Sequence, residues 1–182
     1  MSVMTTLPRG RGLTVADIEA MPDDGNRYEL IDGVLVVTPS PGFTHQRVAL
    51  NLWRLLDDHA PADMCAMAAP FDVILDRRSW VEPDVLVAPR SAYDDKRLPV
   101  PPLLAVEVLS PSSVLTDMNV KHDRYRRSGI PSYWVIDPVE PRLIAWELSG
   151  SRYVEVANVG GEETWTAATP FPVTITPARL AT

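Results

Sequence analysis

Leu103-Leu104-Ala105-Val106-Glu107-Val108-Leu109 is an apolar run interrupted by a single charge. Side chains alternate across a strand, so Leu103, Ala105, Glu107 and Leu109 share one face and Leu104, Val106 and Val108 the other. Both faces are otherwise apolar, the pattern of an interior strand covered on its two sides. A carboxylate in that position loses its hydration, which is costly unless a cation compensates it. Glu107 therefore calls for a metal ion or, as the structural alternatives, a lysine or arginine pair or a strand end that reaches water.

Upstream, Val81-Glu82-Pro83-Asp84-Val85-Leu86-Val87 reads as a second strand, with the proline tolerated at its start. Asp84 there either ends a loop or, if the two strands are neighbours, points into one cleft with Glu107. Two converged carboxylates repel unless a proton or metal lies between them. Oxygen donors of this kind suit Mg2+ or Mn2+, which bind through one or two carboxylates and keep several waters. Zinc is a poorer match, because the chain has one cysteine and His45, His59 and His122 show no ligand spacing.

Downstream, residues 116–129 (TDMNVKHDRYRRSG) predict a helix ending at Gly129, a natural C-cap. Lys121, Tyr125 and Ser128 recur on one helical face. Lys121 is placed either to reach a metal-bound phosphate or to pair with Asp117 one turn earlier. Arg124, Arg126 and Arg127 make this segment a local basic patch, a candidate nucleic-acid contact whose bland counterpart is a solvated helix face.

Further out the pattern is mixed. Residues 1–12 are polar and glycine-rich and read as a flexible tail, leaving 13–182 as a single domain. Thr14 and Asp17 start a short helix that ends by Met21, before Pro22. Tyr28–Ile31 and Val34–Val37 flank Asp32-Gly33, a two-residue hairpin turn. Val48, Ala49, Leu52, Leu55 and Leu56 make one apolar stripe on a helix over 44–59. Strands are expected at 65–69, 71–75, 83–87, 103–109, 132–136, 142–148, 153–156 and 171–175. The fold class is α/β or α+β, with a central mixed sheet flanked by helices and extra C-terminal strands.

The whole-chain properties set bounds. A chain of 182 residues with 46% hydrophobic content fits one soluble domain. No apolar stretch approaches the roughly 20 residues needed to cross a bilayer, so no membrane partner is expected. One cysteine, Cys65, and the lack of a secretory pattern near the start point to the cytoplasm. The net charge of -7 is the wrong sign for non-specific coating of nucleic acid, so any polyanion contact must be local.

Four blocks together carry a resemblance. They are Arg27-Tyr28-Glu29-Leu30-Ile31-Asp32-Gly33, residues 82–87, residues 106–113 (VEVLSPSS) and residues 121–138 (KHDRYRRSGIPSYWVIDP). They resemble the Uma-type restriction-endonuclease family within the PD-(D/E)XK nuclease superfamily, over roughly residues 13 to 148. That resemblance implies a restriction-endonuclease-like core in which Asp84 and Glu107 hold the metal and Lys121 completes the catalytic set. The superfamily lysine usually stands two residues after the glutamate, where this chain has Leu109, and Lys121 matches a lysine moved onto the following helix. Glu29 matches an acidic position adding a metal or water contact. His45 falls at a family-like position where helix capping or packing is an equal reading. The Ser110–Ser113 stretch is read as structural. The expected activity is Mg2+- or Mn2+-dependent hydrolysis of DNA phosphodiesters, with a homodimer expected for a double-strand cutter and the strands from Arg142 onward as its interface. The alternatives are a catalytically silent nucleic-acid-binding or interaction domain that keeps the fold, and a hydrolase of small phosphoesters.

Overall fold

The computed structural model describes residues 11–21, 27–38 and 40–182. In chain order the elements are α1 (Val15–Glu19), β1 (Arg27–Ile31), β2 (Val34–Thr38), α2 (Phe43–His59), β3 (Met64–Ala68), β4 (Asp72–Asp76), β5 (Ser79–Val81), β6 (Val85–Pro89), β7 (Arg97–Leu98) and β8 (Leu104–Val108). A π-helical segment, Thr116–Lys121, runs straight into α3 (His122–Arg127). The chain continues through β9 (Ser132–Asp137), β10 (Arg142–Ser149), β11 (Arg152–Gly160), β12 (Trp165–Ala167), β13 (Val173–Ile175) and α4 (Pro177–Leu180).

The main sheet has the order β11-β10-β9-β8-β6-β3. Its centre is mixed: β8 runs antiparallel to β6 and parallel to β9, with Val106 opposite Val85 on one side and Trp134 on the other. Every residue of β8 is buried, as its run of apolar residues requires. Leu104, Val106 and Val108 face α2, which packs Val48, Ala49, Leu52 and Leu56 against them. Ala105 lies on the opposite face, under a second sheet of order β2-β1-β5-β4-β7 that contributes Ile31, Val73, Val81 and Leu98. Glu107 shares the Ala105 face. It thus projects between the two sheets, not toward α2.

The β1–β2 hairpin turns at Asp32 (φ 52°) and Gly33 (φ 83°), the paired positive angles of a tight two-residue turn. The parallel β8–β9 pair needs a crossover, and the π segment with α3 provides it, carrying Lys121 and Tyr125 over the end of β8.

The expected α+β class with a central mixed sheet is found, and the structure adds to it a second five-stranded sheet and the β12–β13 pair among the described residues. The unexpected β5, β7 and β12, of three, two and three residues, are too short to show a period. The helix expected over 116–128 is π-helical in its first part, a winding that residue spacing does not announce. Residues 1–10 of the expected tail and Pro22, the expected stop of α1, lie outside the described residues. No helix among those described is long and apolar enough to cross a membrane.

Leu104 is fully buried where β8 meets α2, so Leu104→Ala is expected to lower unfolding free energy by about 2–5 kcal/mol in urea denaturation. Val139→Ala, at an exposed turn, should stay within about 0.5 kcal/mol of the parent protein.

Candidate active site

Glu107 is 3% exposed, and both of its carboxylate oxygens have donors. Lys121 Nζ donates to Oε2 at 3.0 Å and the Tyr125 hydroxyl donates to Oε1 at 2.7 Å. Both donors come from the crossover, four residues apart, so one turn of helix clamps the carboxylate. Lys121 also meets Glu29 Oε1 at 2.9 Å and lies 3.9 Å from Asp117 Oδ1. The pairing with Asp117 expected from the sequence is thus present, alongside closer contacts to Glu107 and Glu29.

Asp84 stands just before β6. Since Val85 is opposite Val106, the next position places Asp84 beside Glu107 across the strand pair. Its Oδ2 accepts the Val108 amide at 2.8 Å and lies 3.2 Å from His45 Nε2 in the first turn of α2. Glu29 comes from β1 of the other sheet, and its Oε1 also accepts the Glu82 amide at 2.9 Å. A cavity of about 180 Å³ opens where these elements meet, lined by Glu29, His45, Asp84, Glu107, Asp117 and Lys121 among others.

The residues singled out in the sequence divide in two. Asp84, Glu107, Lys121, Glu29 and His45 border this one cavity, and Tyr125 supports it from beneath. Arg124, Arg126 and Arg127 do not reach it. Arg124 is buried and paired with Asp32 and Asp76, Arg126 pairs with Asp123, and Arg127 spans Asp123 and Asp32. Arg124 and Arg127 tie α3 to the β1–β2 turn, Arg124 also to Asp76 at the end of β4, and Arg126 donates to the Ser151 carbonyl between β10 and β11. Ser128, expected on the Lys121 face, donates its hydroxyl back to the Arg124 carbonyl at 2.9 Å. Sequence reading treated Asp117 only as a partner for Lys121. It is 2% exposed and faces the cavity, and a carboxylate four residues before a buried lysine was the available signal.

The charges are unbalanced. Burial pushes the Glu107 carboxyl well above its ordinary value, Lys121 opposes the shift, and Asp117, Asp84 and Glu29 add to it. Burial likewise lifts Asp117 to about 6, with Lys121 acting against it. For Lys121, burial acts downward, but the charges of Glu107, Glu29 and Asp117 outweigh it and hold the ammonium protonated. Tyr125 is pushed up by burial and by Glu107, so it remains a hydroxyl donor. Hard oxygen donors with surplus negative charge fit a divalent cation. Among the described residues no three histidine, cysteine or acidic side chains form a ready-made ligand cluster. The fit is to a cation held by two carboxylates and otherwise hydrated, not to a protein-built cage.

Carboxylates at the ends of neighbouring strands, facing an acidic cleft between a mixed sheet and its cover, define a nuclease-like α+β domain. The chain belongs to the Uma2 family, described as "Putative restriction endonuclease", whose model matches residues 15–181. Among solved structures, the chain is similar to a putative nuclease belonging to DUF820 from Anabaena variabilis ATCC 29413, with a TM-score of 0.71 and 16% identity over 93% of this chain and 97% of that one. At that identity the likeness speaks for the fold. No curated protein matches the sequence.

Two measurements test the electrostatics. Asp117 titrates at about 6 in the fold against 3.8 in a model peptide, so between those values the folded state binds more protons than the unfolded chain. Stability should therefore fall as pH rises through about 6, by at most about 1.4 kcal/mol per pH unit for one proton. Thermal melts in chelator should give a higher Tm at pH 5 than at pH 7.5, and Asp117→Asn should flatten the difference. Lys121→Met leaves Glu107 and Glu29 uncompensated and is expected to cost about 3–5 kcal/mol at pH 7.5, read by denaturant titration.

Proposed function

We propose that the protein is a divalent-metal-dependent endonuclease that hydrolyses DNA phosphodiesters at the Asp84–Glu107–Lys121 cavity. The observation that carries the reading is a buried ammonium held among carboxylates next to Asp84, in a chain of this family. A purely structural ion pair needs one carboxylate per ammonium. Here Glu29, Asp84, Glu107 and Asp117 line a solvent-reachable cleft with Lys121 alone as a lysine or arginine among its lining residues, and that imbalance suits Mg2+ or Mn2+.

Asp84 and Glu107 would hold the cation. When bound, it supplies Lewis-acid polarisation of the scissile phosphate and a lowered pKa for water. The protein's own groups do the remainder. The Val108 amide and His45 fix the Asp84 carboxylate, leaving its orientation independent of the metal. Tyr125 fixes Glu107 in the same way from Oε1. Lys121 Nζ, at the floor of the cavity, is the group available to offset negative charge that develops on a phosphate seated there. Glu29 and Asp117 keep that ammonium charged and aimed. The pocket without a cation would repel a polyanion, so substrate binding and metal binding are expected to be coupled.

Supercoiled plasmid incubated with purified protein should be nicked or linearised in Mg2+ or Mn2+ and left intact in EDTA. Glu107→Ala is expected to reduce cleavage at least about 100-fold, and Asp84→Asn, which leaves the Lys121 pair in place, should do the same. Cleavage that persists in EDTA and in both variants defeats the proposal. Metal-dependent binding to DNA without cleavage in the parent protein would transfer support to the silent binding domain.

A further inference from the structure

The loop that follows β8 takes no part in holding a cation, yet Ser110, Ser112, Ser113 and, just beyond it, Thr116 all line the cavity. Two of these hydroxyls serve the loop itself. Ser113 Oγ accepts the Ser110 amide at 3.1 Å and the Ser110 hydroxyl at 3.0 Å, which closes the chain on itself as it leaves the sheet. Ser112 and Thr116 differ. Since the Ser110 proton goes to Ser113, the Ser112 hydroxyl is the donor in its 3.1 Å pair with Ser110, an exposed bond between neutral groups. Thr116 is half-buried, and its hydroxyl bonds to no protein atom among the described residues. It does not turn back to the carbonyl four residues earlier, the usual resort of a threonine in a helix. Burial orders this wall by depth: Ser112 is exposed, Thr116 intermediate and Lys121 4% exposed. Hydrogen-bond donors therefore descend from the mouth of the cavity to the ammonium at its floor.

We propose that Ser112 and Thr116 bind a phosphate of the DNA backbone at the mouth of the cavity, next along the strand from the phosphate that is cut. This rests on the endonuclease reading of the cavity and adds the residues that position the substrate there. The cavity sets Glu29, Glu82, Asp84, Glu107 and Asp117 against Lys121 alone, so a phosphate needs donors that these carboxylates do not capture. A guanidinium in such company pairs with an acid, as Arg124 does with Asp32 and Asp76. A hydroxyl carries no net charge and rotates to suit the acceptor it meets. Hydrogen bonds to an ionised oxygen are roughly twice as strong as neutral ones. Ser112 thus exchanges a neutral acceptor for a charged one, and Thr116 gains a partner where it has none. Serine and threonine contacts to phosphate fix the register of a nucleic acid without reading its bases. Depth decides which phosphate they hold. Asp84, Glu107 and Lys121 are the buried groups of the cleft, so the hydroxyls above them meet a phosphate that does not react.

Binding is read by anisotropy of a fluorescein-labelled 20-nucleotide DNA, single-stranded and duplex, across a salt series in Mg2+. The protein carries Asp84→Asn, which slows cleavage and keeps an oxygen donor at that position. Adding Ser112→Ala or Thr116→Val should weaken binding about tenfold, while Thr116→Ser, which keeps the hydroxyl, should stay within about twofold. The slope of log Kd against log salt should not change, because a neutral donor releases no counterion from the strand. With Asp84 intact, Ser112→Ala and Thr116→Val should each raise KM for plasmid cleavage about tenfold and leave kcat within about twofold, as for a contact made equally in ground and transition states. Their Tm should stay within about 2 °C of the parent. Metal-dependent cleavage with KM unchanged in both variants overturns the proposal and leaves the nuclease assignment standing. Weakened binding of this pattern in a protein that cleaves no DNA keeps the phosphate contact and removes the nuclease. A joint fall in kcat and Tm, with Thr116→Ser no better than Thr116→Val, makes the hydroxyls part of the scaffold and overturns the proposal.

Discussion

A carboxylate enclosed between two sheets persists only if something positive stands beside it, and in this protein that partner is the ammonium of Lys121. The pair Glu107–Lys121 joins the centre of the main sheet to the crossover that follows it. Glu29 then recruits the second sheet to the same ammonium, and Tyr125 closes the remaining oxygen of Glu107. Strand, crossover and covering sheet are thereby held in one arrangement by a few polar contacts surrounded by apolar packing. The cluster remains over-supplied with negative charge, with Lys121 standing among Glu29, Asp84, Glu107 and Asp117, and the metal-dependent reading proposed above rests on that surplus. A metal approaching Glu107 must share with Lys121 a carboxylate that is already satisfied, so affinity for the ion depends on how far the lysine gives way.

Much of this was legible because burial and charge conflict so plainly in the sequence. Glu107 stood out because the residues around it alternate without a break, and the hairpin at Asp32-Gly33 because few pairs accept two positive φ angles. The stripe of α2 was equally readable, its bounds differing from expectation by one residue. What could not be read were features without a period. Strands of two or three residues owe their existence to neighbours brought close by the fold. The pairs that Arg124 and Arg127 make with Asp32, and Arg124 with Asp76, escaped the sequence because those partners are more than 40 positions away. Charge counted along a helix says nothing about acidic turns that will fold over it.

The division of labour between the two arginine groups follows from geometry. α3 crosses beneath the covering sheet, where a guanidinium must find a carboxylate or lose its hydration without return. Arg124 is buried there and has both Asp32 and Asp76. α2 lies on the outer side of the main sheet, and cations on its far face keep their water. Residues of the same type therefore brace the scaffold in one helix and stay at the solvent surface in the other, Arg47 on the Thr182 carbonyl and Arg54 beside Asp58.

The π winding between Thr116 and Lys121 also bears on how this site tolerates change. A wide turn accommodates one residue more than an α-helix would over the same rise, so its frame decides which side chain ends the turn above β8. Excising one residue between Asp117 and Lys121 would let the wide turn close to an α-helical one, so that α3 keeps its register. The side chains of Asp117 and Lys121, which both face the cavity, would instead turn by about 100° relative to each other. The sensitive quantity in this segment is therefore a spacer length between two of the cavity's charges.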